Sequence, residues 1–222
     1  MKAIVLFSGG LDSTTCLAKA VHEYGAKNVT ALSLSYGQKH EKEIQCAEKI
    51  VRYYGVEHIE MEISEVFKGS DCTLLKGNAE VPDGAYAEQL KKTDTVTTYV
   101  PFRNGLFLSI ATAMALVRGC DVVIYGAHQD DAAGDAYPDC TEYFATAMGE
   151  AIAEGTGWKV ELETPFINTN KAGVVKQGLK LGVPYEMTWS CYNGGEKPCG
   201  KCGTCIDRAK AFKANGVKDP AL

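Results

Sequence analysis

The sequence predicts an α/β protein built on a parallel sheet, with a small cysteine-rich segment at its C-terminal end. Three observations carry this. Strand-like and helix-like runs alternate through about the first sixty residues. Ser8-Gly9-Gly10 interrupts the chain directly after the first apolar run. Four of the nine cysteines are crowded between 191 and 205.

Residues 3–7 form a continuous apolar run of strand length. A helical pattern through Leu11, Thr15, Leu17, Ala18 and Val21 follows and stops at Gly25. The spacing predicts a strand over 29–34, ended by Tyr36-Gly37, and a helix over 40–54 with Ile44, Ala47, Ile50 and Val51 on one face. A third strand alternates over 57–63. Strand–helix–strand succession of this kind implies parallel pairing through right-handed crossovers. Residues 67–98 are rich in Gly, Asp, Lys and Thr and are expected to form a lid or mobile insertion. A helix is expected over 104–118, a buried strand over 121–125, a helix over 141–154, a strand over 158–162 and a helix over 171–181. The division expected is an α/β domain over 1–184 and a cysteine-bearing segment with a C-terminal helix over 185–222.

Composition excludes several classes. The chain has 222 residues, 45% hydrophobic and 23% charged, with a net charge of −5, which suits a globular protein and not a disordered one. The longest apolar stretch, 106–117, is too short to span a bilayer. No membrane segment, targeting signal or long basic run is visible, so a cytoplasmic protein without a nucleic-acid partner is expected.

The loop Ser8-Gly9-Gly10-Leu11-Asp12-Ser13-Thr14 lies at the carboxyl end of a strand and the start of a helix, where open α/β sheets bind ligands. Paired glycines let the backbone approach an anion, and a helix start offers free N–H groups. Asp12 is suited to hold Mg²⁺ between phosphates. Neither a Walker loop nor a dinucleotide fingerprint is present, and a plain serine-capped turn is the alternative for a lone SGG. SGGLDS in this position resembles the PP-loop of the N-type ATP pyrophosphatases. That resemblance implies a Rossmann-like, adenine-nucleotide-binding fold, with ATP as substrate bound through Phe7, Ser8, Gly9, Gly10, Leu11, Asp12, Ser13, Thr14, Thr15, Cys16 and Leu17. It also implies cleavage of ATP between its α and β phosphates.

Cys191, Cys199, Cys202 and Cys205 offer four thiolates among glycines, the donor set of a closed, structural Zn²⁺ site with one ion per chain. An iron–sulfur cluster is the chemical rival. The remaining five cysteines read as small apolar fillers.

Three further loops follow strands or open helices. Tyr36 and Gln38 follow the second strand. Arg103 is suited to meet a phosphate or carboxylate, and Asn104 to cap the helix it opens. His128, Asp130 and Asp131 follow the fourth strand, either as a metal site or as a solvated acidic loop.

SGGLDSTTCL, YGQKH, PFRN, YPDC, TWSCY and CGKCGTC occur together and in this order, with Arg208 and Phe212 after them. In this the chain is similar to the QueC family of PP-loop enzymes, of the queuosine precursor pathway. The resemblance implies a ligase forming C–N bonds. It would turn 7-carboxy-7-deazaguanine and ammonia into the corresponding nitrile with ATP and Mg²⁺, as a homodimer. It places the substrate on Tyr36, Gln38, Arg103, Asn104, Tyr137 and Asp139, with Asp139 reading the base edge. Asp12, Arg103 and Asp131 are the catalytic candidates, and the four cysteines match the family's zinc ligands. Two departures are Thr141, where many members carry a basic residue, and a longer loop at 131–136. A tRNA-thiolating PP-loop adenylase is the nearest rival; a non-enzymatic zinc module binding nucleic acid through its basic tail is a more distant one.

Overall fold

The computed structural model describes residues 1–39, 42–83, 96–132 and 136–221. Five parallel strands run β1 (Ala3–Leu6), β2 (Val29–Ser35), β3 (Glu57–Glu62), β4 (Val122–Ile124) and β5 (Glu161–Glu163), in the spatial order β3-β2-β1-β4-β5. Ala3 is in register with Val29 on one side and Val122 on the other. The order reverses between β1 and β4, so their carboxyl ends open a crevice between them, the usual ligand site of such a sheet.

Both faces of the sheet are covered, which is why β1 and β4 read as unbroken apolar runs. Ala3, Val5 and Phe7 face a core shared with α1 (Leu11–Tyr24), α2 (Lys42–Tyr54), α5 (Lys171–Lys180) and α6 (Gly203–Ala214). Ile4 faces a second core with α3 (Arg103–Arg118) and α4 (Glu142–Thr156). β3 and β5 are the edge strands of this sheet, and the glutamates of β3 protect its edge from pairing with another chain.

Several expected boundaries move. The start of the helix expected at 40 and parts of 67–98 and 131–136 lie outside the described residues. The strand expected over 158–162 begins only at Glu161. Gly157 ends α4 in the left-handed region and Trp158 follows it there (φ 62), so the chain is still turning at that point. α3 begins at Arg103 after left-handed Phe102, so Asn104 lies inside the helix and does not cap it. Thr141 caps α4, its hydroxyl accepting from Phe144 N at 3.1 Å. Of the segment 67–98, Phe67, Cys72, Leu74 and Leu75 pack with Tyr36 and Val100 as a small third cluster.

The C-terminal segment shares the main core: Phe212 packs edge-on to Tyr185 at 5.2 Å, and Ala211 lies in the same cluster as Leu17 and Val174. Arg208, buried, donates to both carboxylate oxygens of buried Asp219 (2.7 and 2.9 Å), to Thr188 Oγ1 and to Tyr185 O. This bidentate pair ties α6 to the chain end and to 185–190. Replacing Asp219 with alanine leaves a buried, uncompensated guanidinium and is expected to cost about 3–5 kcal/mol in urea unfolding; a loss below ~1 kcal/mol contradicts that assignment.

Candidate active site

The loop after β1 is held by its own hydroxyls. Ser8 N donates to Ser13 Oγ and Gly10 N to Ser8 Oγ, each at 3.2 Å, and Ser13 Oγ and Ser8 Oγ lie 3.1 Å apart. These are long, exposed bonds, so a phosphate could take over the amides. Thr14 is the first residue of α1 whose N–H bonds back into the loop, to Gly10 O at 3.0 Å. The N–H groups of the turn before it are those that a helix start leaves without intrahelical partners, and Leu11, Asp12 and Ser13 line the cavity. Gly9 adopts φ +81, and a Cβ there would lie 2.7 Å from both Glu43 O and Ala47 N of α2. The loop is therefore wedged against α2, where only glycine fits.

Beside it, the end of β4 brings a second group. His128 is fully buried, with Nε2 3.3 Å from Asp131 Oδ2 and 3.5 Å from Asp12 Oδ1. Lys171 Nζ, from the first turn of α5, is 3.4 Å from Asp12 Oδ2. Burial acts to raise the Asp12 pKa, but the Lys171 ammonium and His128 outweigh it and hold the carboxyl below its ordinary range. Burial likewise opposes charge on His128, and Asp131 and Asp12 overcome it, so its pKa is raised. Asp130 faces elsewhere, accepting from Lys171 N at 2.8 Å and capping α5. The His128–aspartate loop is thus partly interior, and among the described residues only the four cysteines group as a metal site.

One cavity of about 260 Å³ joins these elements, lined by Phe7, Ser8, Gly10, Leu11, Asp12 and Ser13 at one end and by Tyr36, Gln38, Arg103, Asn104, Phe107 and Tyr137 at the other. Arg103 stacks over Tyr36 and Phe107 (5.4 and 5.7 Å to the ring centres) and donates to Tyr36 Oη at 3.3 Å. Gln38 Oε1 accepts from Tyr36 N at 2.8 Å, fixing the turn after β2. Thr14, Thr15, Cys16 and Leu17 turn away from the cavity. Thr15 bonds Leu11 O and Tyr185 Oη, while Cys16 and Leu17 enter the core, because α1 carries only its first turn along the cavity wall.

Asp139 is also placed differently from the base-edge role expected of it. It is not among the cavity-lining residues. Its Oδ2 accepts from Asn104 N at 2.9 Å, and its backbone oxygen accepts from Tyr125 Oη at 2.6 Å and Asn104 Nδ2 at 3.3 Å. It caps the start of α3 in place of a side chain from α3 itself, and so holds Arg103 and Asn104 where they stand. Burial raises its pKa against the pull of that N–H bond and of Arg103.

Sequence reasoning missed Glu43, Lys171, Trp189 and Tyr192, which also line the cavity. Trp189 N donates to Gly9 O at 3.1 Å, joining the C-terminal segment to the glycine loop. TWSCY marked the place, but no local spacing announces such a contact.

The four cysteine sulfurs lie within 4.8 Å of one another. A tetrahedral shell at about 2.3 Å from one ion sets its sulfurs about 3.8 Å apart, so the donors need only close slightly. Backbone N–H groups of Cys199 and Asn193 point to Cys191 Sγ (3.3 and 3.4 Å), and that of Cys202 to Cys199 Sγ (3.3 Å). Such donors are the usual partners of metal-bound sulfurs, and the set fits a single metal ion. Part of the basic tail is paired with carboxylates: Arg208 with Asp219, Lys201 with Asp83 and Lys210 with Asp207. No helix among the described residues is long and apolar enough to cross a membrane.

Comparison with known proteins adds the family. A family model described as queuosine biosynthesis protein QueC matches residues 2–216. The 7-cyano-7-deazaguanine synthase of Archaeoglobus fulgidus is 45% identical over 223 residues, spanning 100% of this chain and 90% of that protein. The protein of the same name from Psychromonas ingrahamii is 41% identical over 222 residues, spanning 99% and 96%. Among solved structures, U34-tRNA thiolase NcsA from Methanococcus maripaludis with its 4Fe-4S cluster aligns with a TM-score of 0.52 at 16% identity, over 97% of this chain and 66% of that one. NMN synthetase from Francisella tularensis aligns with a TM-score of 0.50 at 16% identity, over 98% and 78%. At such identities the two structures speak to the fold alone.

Proposed function

The chain belongs to the QueC family of queuosine biosynthesis proteins, and from that premise we propose that it is a ligase making 7-cyano-7-deazaguanine from 7-carboxy-7-deazaguanine, ammonia and ATP. The observation that carries the reading is that one cavity joins the glycine loop after β1 and the start of α1 to a cationic, aromatic wall.

A carboxylate oxygen of the acid attacks the α-phosphorus of ATP and pyrophosphate leaves, giving an acyl-adenylate. Ammonia attacks the carbonyl carbon and expels AMP, giving the amide. The amide oxygen then attacks a second ATP, and loss of AMP and protons leaves the nitrile. The balance is two ATP consumed, with two AMP and two pyrophosphate released. No protein nucleophile is required; the residues position reactants and neutralise charge. Ser8, Gly9, Gly10, Ser13 and the start of α1 bind the departing pyrophosphate, with Lys171 beside it. Asp12 and Asp131 are the carboxylates suited to a Mg²⁺-bound triphosphate. Arg103 faces the acid's carboxylate with Tyr36, Gln38, Asn104 and Tyr137 around the ring, while Asp139 acts through Asn104 as a positioning residue.

For the cysteine site we propose zinc. An ion bound there would supply a cross-link holding 191–205 together and, through Trp189, the back of the glycine loop. A cube of four irons would have to spread the thiolates further than the spacing within 4.8 Å. The same reading extends to a homodimer in the cytoplasm. The test is pyrophosphate release with ATP, ammonium and 7-carboxy-7-deazaguanine, each omitted in turn. Release needing all three is expected; release stimulated by tRNA and indifferent to the acid would favour a thiolating adenylase instead.

A further inference from the structure

Four carboxylates line the cavity, and three of them have partners. Asp12 lies against Lys171 and His128, Asp131 against His128, and Glu60 against His58 Nδ1 at 3.4 Å. Glu43, from the first turn of α2, has no side-chain hydrogen bond and no close ion pair among the described residues, and feels only the longer-range pull of Arg103. It is held in place all the same, because its backbone oxygen packs against Gly9 and its helix forms the back of the glycine loop. Around the same cavity stand the rings of Tyr36 and Phe107, 5.8 Å apart, together with Arg103. An aromatic wall with a cation, and a carboxylate that has no hydrogen-bond partner from the protein, suits a flat ring that is acidic on one side and rich in N–H donors on the other.

We propose that Glu43 is the specificity-determining residue for the ring, its carboxylate accepting the N1–H and 2-amino hydrogens of the deazaguanine while Arg103 meets the carboxylate. This rests on the reading above that the acid is the substrate. The Watson–Crick edge of a guanine-type ring places two donors side by side, the complement of two carboxylate oxygens. Asp139, the carboxylate that the sequence suggested for this task, has an oxygen committed to the start of α3. Desolvation pushes the Glu43 carboxyl up to about 7, against the pull of Arg103, consistent with a group whose partners arrive with the ligand.

The experiment compares wild type with Glu43→Gln, using 7-carboxy-7-deazaguanine and its analogue lacking the 2-amino group. In wild type the acid is expected to bind at least ~30-fold more tightly than the analogue in calorimetry, within the range of one well-placed bidentate contact. In Glu43→Gln the KM for the acid rises about 30-fold, the KM for ATP stays within about twofold, and preference over the analogue falls to a few-fold. Equal binding of acid and analogue by wild type would overturn the proposal without any variant. So would an unchanged KM for the acid in Glu43→Gln, or a rise confined to the KM for ammonium. A wild-type enzyme that binds the acid but releases no pyrophosphate with it would defeat the functional reading and leave the binding comparison to decide on Glu43.

Discussion

Gly9→Ala is expected to lower kcat/KM for acid-dependent pyrophosphate release by about 100-fold while the protein stays folded. The added methyl would lie 2.7 Å from Glu43 O and Ala47 N, and both are main-chain atoms of α2. No rotamer change relieves that contact; the loop or the helix must move. The loop carries the amides for pyrophosphate, α2 carries Glu43, and Gly9 O holds Trp189, so movement of either disturbs the reacting geometry. A displacement near 1 Å is enough for a loss of that size. The backbone cost of alanine in the left-handed region is only about 1–2 kcal/mol, too little to unfold a protein this large. Gly25→Ala separates the two effects. It has the same left-handed φ, +80, but nothing within 4 Å of the added atom, so its kcat/KM should stay near wild type. Equal rates for Gly9→Ala and Gly25→Ala in the pyrophosphate assay would contradict a role for the close packing of the loop.

Cys202→Ser is expected to drop the bound metal from one ion per chain to well below one, measured by elemental analysis. Thermal unfolding should fall by about 10 °C or more, since a bound structural zinc contributes many kcal/mol to the folded state and each kcal/mol moves Tm by about 2–4 °C at this size. Cys202 is fully buried at the N-terminus of α6, so the damage spreads. α6 supplies Phe212 to the core and Arg208 to the buried pair with Asp219, and Thr204 Oγ1 bonds Ser190 O beside the cavity. Activity falls with it, and a colourless metal-replete wild type accompanies the result. A variant that keeps one ion per chain, or a brown wild-type protein, would refute the zinc assignment.

The glycine loop and the four cysteines stood out in the sequence because each is local, with its groups within a few residues, although spacing alone left a plain capped turn and an iron–sulfur cluster open as alternatives. The parallel sheet was legible from the apolar runs that a doubly covered sheet requires. What spacing did not reveal was assembled by topology. Lys171 reaches Asp12 from α5, Glu43 reaches the cavity from α2, and Trp189 reaches Gly9 across most of the chain. Asp139 was read as a base-edge group because YPDC marks a functional loop. Its capping of α3 becomes visible only once Asn104 is placed 35 residues away in sequence and one bond away in space. Arg208 is buried against Asp219, a pairing of residues eleven apart that no motif announces. The fifth strand was misplaced because Trp158 adopts a left-handed backbone that an apolar pattern does not announce.

The central claim is that this cavity activates a carboxylate, and then an amide, as adenylates. Isotope transfer tests it most directly. With both carboxylate oxygens of 7-carboxy-7-deazaguanine labelled with ¹⁸O, each nitrile formed should release two AMP molecules, each carrying one labelled oxygen, with none in pyrophosphate. Label appearing in inorganic phosphate together with ADP would mean attack at the terminal phosphorus. AMP without label would mean that the acid is not adenylated at all, and either result would contradict the account.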